Sequence, residues 1–426
     1  MGVVLFVLFF ILLLLGAPLA VAIGIPAFVV IIFGDLGTPV IAPNFFAGIA
    51  KFPLLAIPLF ILAGFVLERC GISERIIRFA NLVVGQRAGG LVIVAVAVCV
   101  FFGGVSGSGP ADAAAIGAIL IPAMFAQGYS KSYSASLIAA AGSTAIIVPP
   151  SIALIVYGAI TNTSIPALFA AGAIPGLIAG LAIFLPAFFI ARRRGYGAGR
   201  EDAPRQSIRK AFFEAFWGLL APVIILGGLY GGIFTPTEAA VVAVFYSLLL
   251  GLVIYRSLTM AMIYQILVDA CEASAVVMLI VAFAGLFSWA GSTVGILDDL
   301  AEFLLTISTN EWIILAVING LIFVGGMLMD AISIYYIFLP IFLPIMAHFD
   351  WNPIWFGIMM TFNLAIGQFT PPVAVNLYVT TQLADIDLEQ TFAAVLPLVA
   401  SMLIGLVIII AFPWLSLFIP RILGLG

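Results

Sequence analysis

The stretch FGGVSGSGPADAAAIG, residues 102–117, sets five glycines, two serines and an aspartate inside an otherwise apolar chain. Of its 426 residues, 65% are hydrophobic and 8% charged, and the mean hydropathy is +1.32. An average soluble domain is about a quarter charged, and a helix needs about 20 apolar residues to cross a hydrocarbon core of about 30 Å. Runs of that length recur from end to end. The sequence therefore reads as an all-α polytopic integral membrane protein, with the glycine-serine stretch at membrane depth. Unpaired backbone groups in hydrocarbon cost several kcal/mol each, so irregular chain there persists only where protein or a ligand satisfies it.

Several function classes are excluded at the outset. Cys70, Cys99 and Cys271 are isolated in apolar context, which argues against a secreted disulfide framework. His348 is the only histidine, so no histidine-based metal cluster can be built. No GxxxxGK[ST] loop is present to cradle a nucleotide, and a net charge of −4 without a broad basic face excludes nucleic acid as a partner. The first apolar run, Val3 to Leu15, has no Lys or Arg before it and reads as a retained membrane helix, not a cleaved leader.

Sliding the chain on itself by about 220 residues aligns a series of anchors. Pro18 meets Pro236, Ala63-Gly64 meets Ala284-Gly285, and Gly71 meets Gly291. GGVSGSGPAD (103–112) meets GGMLMD (325–330) across a gap, and IIVPPS (146–151) meets QFTPPV (368–373). The chain reads as two homologous halves. Thirteen of the fifteen Lys and Arg residues lie at or before Lys210, whereas twelve of the nineteen acids follow Glu214. The basic loop ARRRGYGAGREDAPRQSIRK (191–210) belongs in the cytoplasm by the positive-inside rule. Equivalent amphipathic segments carry opposite signs: Glu74, Arg75, Arg78 and Arg87 against Asp298, Asp299 and Glu302. Matching segments on opposite membrane faces would produce this, so the repeats read as inverted.

The first repeat is expected over 1–190. It comprises scaffold helices within 1–67 (2–15, 17–33, 44–67), an interfacial helix at 72–85 capped by Ser73, a hairpin at 90–127, a broken helix at 133–163 and a helix at 166–190. A cytoplasmic linker, 191–210, leads to the second repeat, 211–426. There the sequence predicts scaffold crossings within 211–290, an interfacial helix at 297–306, a hairpin at 312–347, a broken helix at 352–384 and a last helix at 391–420. The segment 90–127 must leave and re-enter on the side of Arg87 and Lys131, which makes it re-entrant.

Pro149-Pro150 and Pro371-Pro372 remove donors and free carbonyls one turn earlier. Glycines at the hairpin tips permit close backbone approach. Freed carbonyls and hydroxyls together form a hard oxygen cage suited to sodium, and helix termini favour ions of opposite sign. Two pseudo-equivalent sodium sites are expected: Gly103, Ser106, Ser108, Ser143 and Thr144 in the first half, and Gly325, Gly326, Asn363, Gln368 and Thr370 in the second. Asp112 and Asp330 sit just past the tips. A carboxylate at bilayer depth costs about 2.5–3.5 kcal/mol, so cation coordination is assigned to both beside the plainer role of helix capping. Glu238, after Thr-Pro-Thr, reads as a structural N-terminal charge, and Trp289, Trp312, Trp351 and Trp355 as interfacial belt residues.

FFGGVSGSGPADAAAIG (101–117), STAIIVPPSIALIVYG (143–158), GGIFTPTEAA (231–240), GMLMDAISI (326–334) and IGQFTPPVAVNLYV (366–379) together resemble the large membrane subunit of tripartite ATP-independent periplasmic (TRAP) transporters, over essentially the whole chain. The resemblance implies an elevator-type secondary transporter of the bacterial inner membrane, in which a mobile domain with two hairpins carries an organic acid and sodium past a fixed scaffold. It implies C4-dicarboxylates, sialic acid or another carboxylate as substrate, bound between the tips at Ser106, Gly107, Ser108 and Gly109 and at Gly326, Met327 and Met329. It also implies two partners, a small membrane subunit of about four helices and a soluble periplasmic substrate-binding protein. The small subunit is expected as a separate polypeptide, because residue 1 begins directly with the large-subunit pattern.

Three rival readings remain. Gly104-Val105-Ser106-Gly107 has the form of a nucleophile turn, but an intramembrane serine protease needs a general base, and His348 lies in a polar connection beside Asp350. An ion channel and a proton-coupled carrier of the same architecture are the others. The reading excludes enzymatic activity and assigns secondary transport.

Overall fold

The computed structural model describes residues 1–84, 87–197 and 207–425; position 85 of the expected interfacial helix and 198–206 of the basic linker lie outside the described residues. The first half contains α1 (Gly2–Leu14), α2 (Leu19–Phe33), α3 (Ile41–Ile49), α4 (Ala56–Arg69) and α5 (Ile72–Val84). It continues through α6 (Gly90–Ser106), α7 (Gly109–Ala126), α8 (Lys131–Ser143), α9 (Ile152–Thr161) and α10 (Ile165–Arg193). The second half contains α11 (Ile208–Tyr230), α12 (Pro236–Leu249), α13 (Met260–Thr293), α14 (Ile296–Ile307) and α15 (Glu311–Leu328). It ends with α16 (Ala331–His348), α17 (Pro353–Gly367), α18 (Val375–Ala384), α19 (Phe392–Ala411) and α20 (Trp414–Ile422). Nine helical stretches among the described residues are long and apolar enough to cross a membrane.

Where the chain breaks, proline and backbone geometry explain it. The single helix expected over 44–67 is two: α3 stops at Ile49, Lys51 is extended, and a 3-10 turn at Phe52–Leu55 opens on Pro53 before α4 begins. The last helix is likewise divided at Phe412-Pro413 into α19 and α20. Ser73 does not cap α5; it lies within the helix, buried, its hydroxyl without a partner.

The amphipathic helices bury one stripe and expose charge on the other face. In α5 the buried residues are Ile72, Ser73, Ile76 and Ile77, and in α14 they are Leu297, Ala301 and Leu304, with Asp298, Asp299 and Glu302 exposed. Glu238 has the structural role read from the sequence. The backbone N–H of Thr235 donates to its carboxylate at 2.8 Å, while the Thr235 hydroxyl accepts the Glu238 N–H at 3.3 Å, a capping box that starts α12. Trp355 departs from the belt reading: it is 5% exposed, and its indole N–H donates to the Ile409 carbonyl at 3.1 Å, pinning α17 to α19.

Two groups of helices pack against each other. The frame is α1–α5 with α11–α14, and it is interlocked across the halves: α4 packs on α12, α2 on α13, and α5 on α11. Small residues permit these crossings. A Cβ at Gly218 of α11 would lie 2.7 Å from Ile72 of α5, and one at Gly285 of α13 would lie 2.9 Å from the Gly48 backbone of α3. The bundle is α6–α10 with α15–α20, in which α18 packs on α7 and α8, and α10 on α17, α19 and α20. Between frame and bundle, the Lys51 ammonium donates to the Ala159 carbonyl at the end of α9, at 2.8 Å.

Candidate functional site

Each hairpin turns in two residues. Gly107, in the left-handed region at φ 62°, and extended Ser108 join α6 to α7; extended Met329 and Asp330 join α15 to α16. Each tip rests on the interruption of a broken helix. A Cβ at Gly103 would stand 2.7 Å from the Ala145 Cα, and one at Gly107 would stand 3.0 Å from the Pro150 carbonyl oxygen. In the second half a Cβ at Gly367 would stand 2.5 Å from the Gly326 carbonyl carbon, and the Ala374 N–H donates to the Met327 carbonyl at 3.2 Å. The Pro149–Pro150 and Pro371–Pro372 bonds inside the interruptions are both cis. The halves then meet: a Cβ at Gly109, the first residue of α7, would run into the Gln368 side-chain oxygen at the start of the second interruption and stand 3.0 Å from Nδ2 of Asn376, in the first turn of α18.

The tips, with α4 and α13 of the frame, enclose a cavity of 410 Å³. Ser106, Gly107, Ser108, Gly109 and Asp112 line it from the first tip, and Asp330 with Gln368 from the second half. The first turns of α7 and α16 both reach its wall; that of α7 presents the partly positive end of a helix, whereas that of α16 is already met by the Asp330 carboxylate. Gly326, Met327 and Met329 lie outside the described lining: Gly326 and Met327 face the second interruption, and Met329 is 3% exposed. On that side Asp330, Ala331 and Ile332 take the lining position instead.

The two aspartates, equivalent in sequence, are held differently. Asp112 is fully buried and accepts the Ser106 hydroxyl, and its second oxygen has no partner. It is not the cap of α7, whose N-cap is Ser108. Asp330 is the N-cap of α16 and accepts the N–H groups of Ile332 and Ser333 at 3.0 and 3.4 Å and the Ser333 hydroxyl at 2.6 Å.

Among the remaining residues expected to hold a cation, Ser143 and Thr144 are buried and donate their hydroxyls to the Ala140 and Ala141 carbonyls at 2.8 and 2.7 Å, leaving their oxygens as acceptors. Thr370 donates to the Ile366 carbonyl at 2.6 Å. Asn363 turns its amide N–H groups to the carbonyl and side-chain oxygen of Asn319, at 2.9 and 2.8 Å, away from the cavity lining. Gly325 faces Ile334 within its own hairpin, not the interruption. Four buried oxygens, on Asp112, Gln368, Asn363 and Asn376, have no hydrogen-bond partner. Buried acceptors are almost always satisfied, and an acceptor set of carboxylate, amide and hydroxyl oxygen fits a hard cation.

Sequence reasoning passed over five contributors. Asn376 donates to the Ala139 carbonyl at 3.2 Å and brings its orphan oxygen to the first tip. Glu68 of α4 lines the cavity from the frame, as do Ala273, Val277 and Ile280 of α13. An acid in the apolar run of α4 is itself a signal, by the same cost that singled out Asp112. The protease reading fails on geometry: the Ser106 hydroxyl is given to Asp112, and His348 ends a helix that starts at the cavity, about 25 Å away at 1.5 Å per residue.

Comparison with known proteins gives the same family as the motifs. The chain is 39% identical over 97% of its length to the isethionate TRAP transporter permease protein DctMQ of Oleidesulfovibrio alaskensis, of which it spans 66%. It is 38% identical to the C4-dicarboxylate TRAP transporter large permease protein DctM of Pseudomonas aeruginosa, covering 94% of this chain and 93% of that one. It is also 38% identical to the sialic acid TRAP transporter large permease protein SiaM of Vibrio cholerae, covering 93% of each. In fold it resembles the crystal structure of the Alcanivorax borkumensis YdaH transporter, with a TM-score of 0.65 at 16% identity over 88% of both chains. Its relatives are permease components, not enzymes, and residues 6–415 match the family described as tripartite ATP-independent periplasmic transporter, DctM component. The chain is thus a polytopic membrane transport subunit that belongs to the DctM family of TRAP transporters.

Proposed function

We propose that this subunit carries an organic acid into the cell with sodium as co-substrate, its bundle moving as an elevator against the frame in the bacterial inner membrane. It works with a small membrane subunit and a soluble periplasmic binding protein that delivers the solute. The solute acid lies between the tips, where the N-terminal turn of α7 offers partial positive charge to its anionic end. Sodium is held by Ser106, Asp112, Ser143 and Thr144 with Gly103 in the first half, and by Asp330, Asn363, Gln368 and Thr370 with Gly326 in the second. What supports this reading is the meeting of two tips and two interruptions at one cavity, two of whose buried lining oxygens, on Asp112 and Gln368, have no partner.

The energetics suffice. One charge moving through 100 mV releases about 2.3 kcal/mol, and a tenfold gradient adds about 1.4, so two sodium ions supply roughly 7 kcal/mol. The test is reconstitution of the chain with its small subunit and a binding protein, followed by solute uptake under an imposed sodium gradient. Sodium titrations of Ser106→Ala and Asn363→Ala then test the sites; unchanged sodium affinity in both variants overturns the assignment. The unpartnered oxygen of Asp112 also favours a second reading, in which protons replace sodium as the coupling ion. Uptake driven by a proton gradient in the absence of sodium would establish it.

A further inference from the structure

The cavity is one-sided in charge. Glu68, Asp112 and Asp330 all line it, and no Arg, Lys or His is among its described lining residues. Asp112 and Asp330 belong to the bundle, whereas Glu68 stands on the frame. The Glu68 carboxylate makes no hydrogen bond or ion pair among the described residues. The neighbouring cation, Arg69, is engaged elsewhere, 3.1 Å from Asp269 of α13. Two further acceptors, Asp112 Oδ2 and Gln368 Oε1, sit on residues 0% and 5% exposed and have no partner.

On the sodium reading above, on which this inference rests, two ions balance Asp112 and Asp330. The charge of Glu68 remains. A dicarboxylate entering the cavity would add two more negative charges beside it, with no side-chain cation to offset them, and uncompensated charge in a largely apolar cavity is strongly disfavoured. An acid that also carries an ammonium is neutral overall. Its anionic end suits the N-terminal turn of α7, and its ammonium brings three donors to a wall whose unpartnered buried groups, Asp112 Oδ2 and Gln368 Oε1, are acceptors. We infer that the cavity selects acids bearing a fixed ammonium group, and that Glu68 is the frame residue that reads this charge.

The test uses the chain purified with its small subunit, in sodium, and compares probes that differ only at the group in question. Taurine is set against isethionate, 4-aminobutyrate against 4-hydroxybutyrate, and succinate serves as the dianion. Affinities come from calorimetric titration. The amino member of at least one pair is expected to bind ten times more tightly than its hydroxy counterpart and than succinate. Glu68→Gln should bring the two members within about threefold, and Glu68→Asp should keep the preference. A merely structural role for Glu68 would lower all affinities together without changing the ratio. The inference is overturned if no amino-bearing probe binds, if the hydroxy member or succinate binds as well in the unmodified chain, or if the ratio survives Glu68→Gln. The unmodified comparison alone decides the case should the glutamine variant fail to fold. Sodium titration without acid is read separately, so a failure of sodium coupling is distinguishable from a failure of charge selection.

Discussion

Replacing Gly367 by alanine tests whether the second tip is seated on its interruption backbone to backbone. The added Cβ would stand 2.5 Å from the Gly326 carbonyl carbon and 2.7 Å from its Cα and oxygen. Ordinary contact begins near 3.4 Å, so α15 and α17 must part by close to an ångström. The obstacle is main chain, which cannot rotate away, and overpacking of this kind costs about 1–3 kcal/mol. Alanine returns up to about 1 kcal/mol through helix propensity, leaving a net loss of at most about 3 kcal/mol, which at about 2.1 cal/mol/K of unfolding entropy per residue is up to about 3 °C in Tm for a chain of this size. Gly320→Ala, on the same α15, is the control: nothing lies within 4 Å of its added Cβ, so it should be neutral or stabilising. Thermal unfolding of the purified chain is the assay, with sodium titrated in parallel. Parting the tip from the interruption should also weaken sodium stabilisation of Gly367→Ala by about tenfold. Equal Tm for Gly367→Ala and Gly320→Ala, with equal sodium response, would refute the reasoning.

Two further outcomes follow from contacts outside the cavity. Lys51→Met removes the charged hydrogen bond from the frame to the end of α9, an interaction of about 1.5–3 kcal/mol, and should depopulate this arrangement of bundle and frame by about tenfold or more; spin-label distances between α3 and α9 would report it, and an unchanged distance distribution would count against it. Thr235→Ala dismantles the capping box of α12, costing about 1 kcal/mol in thermal stability with transport per folded molecule unchanged, while Thr235→Ser restores the loss.

Much of the fold was legible because hydrocarbon penalises irregular chain so heavily. The glycine-serine stretch and the two Pro-Pro pairs could only be tips and interruptions, and they are. Boundaries set by a single proline inside an apolar run were less visible, so Pro53 and Pro413 divided helices that hydropathy joined. In the site, chemistry alone pointed to Ser106 to Gly109, Asp112, Asp330 and Gln368, which line the cavity, and equally to Gly326, Met327 and Met329, which lie outside its lining. Which of them share a cavity was not legible, because that depends on contacts between segments some 220 or more residues apart, such as Gly109 with Gln368. Asp112 and Asp330 look alike in sequence, yet one is bonded to a serine six residues earlier and the other caps its own helix. Glu68 was passed over because it lies on a frame helix, where charge near the end reads as ordinary interfacial decoration.

The crossed packing of the frame bears on how the protein is made. While only the first half has left the ribosome, α4 lacks α12, α2 lacks α13, and the apolar stripe of α5 has no α11 to lie on. The early product must wait in the bilayer with these surfaces covered by lipid or by an insertion chaperone. Biogenesis therefore has a late commitment point, and a message truncated after the first half yields a substrate for membrane quality control, not a half-working carrier.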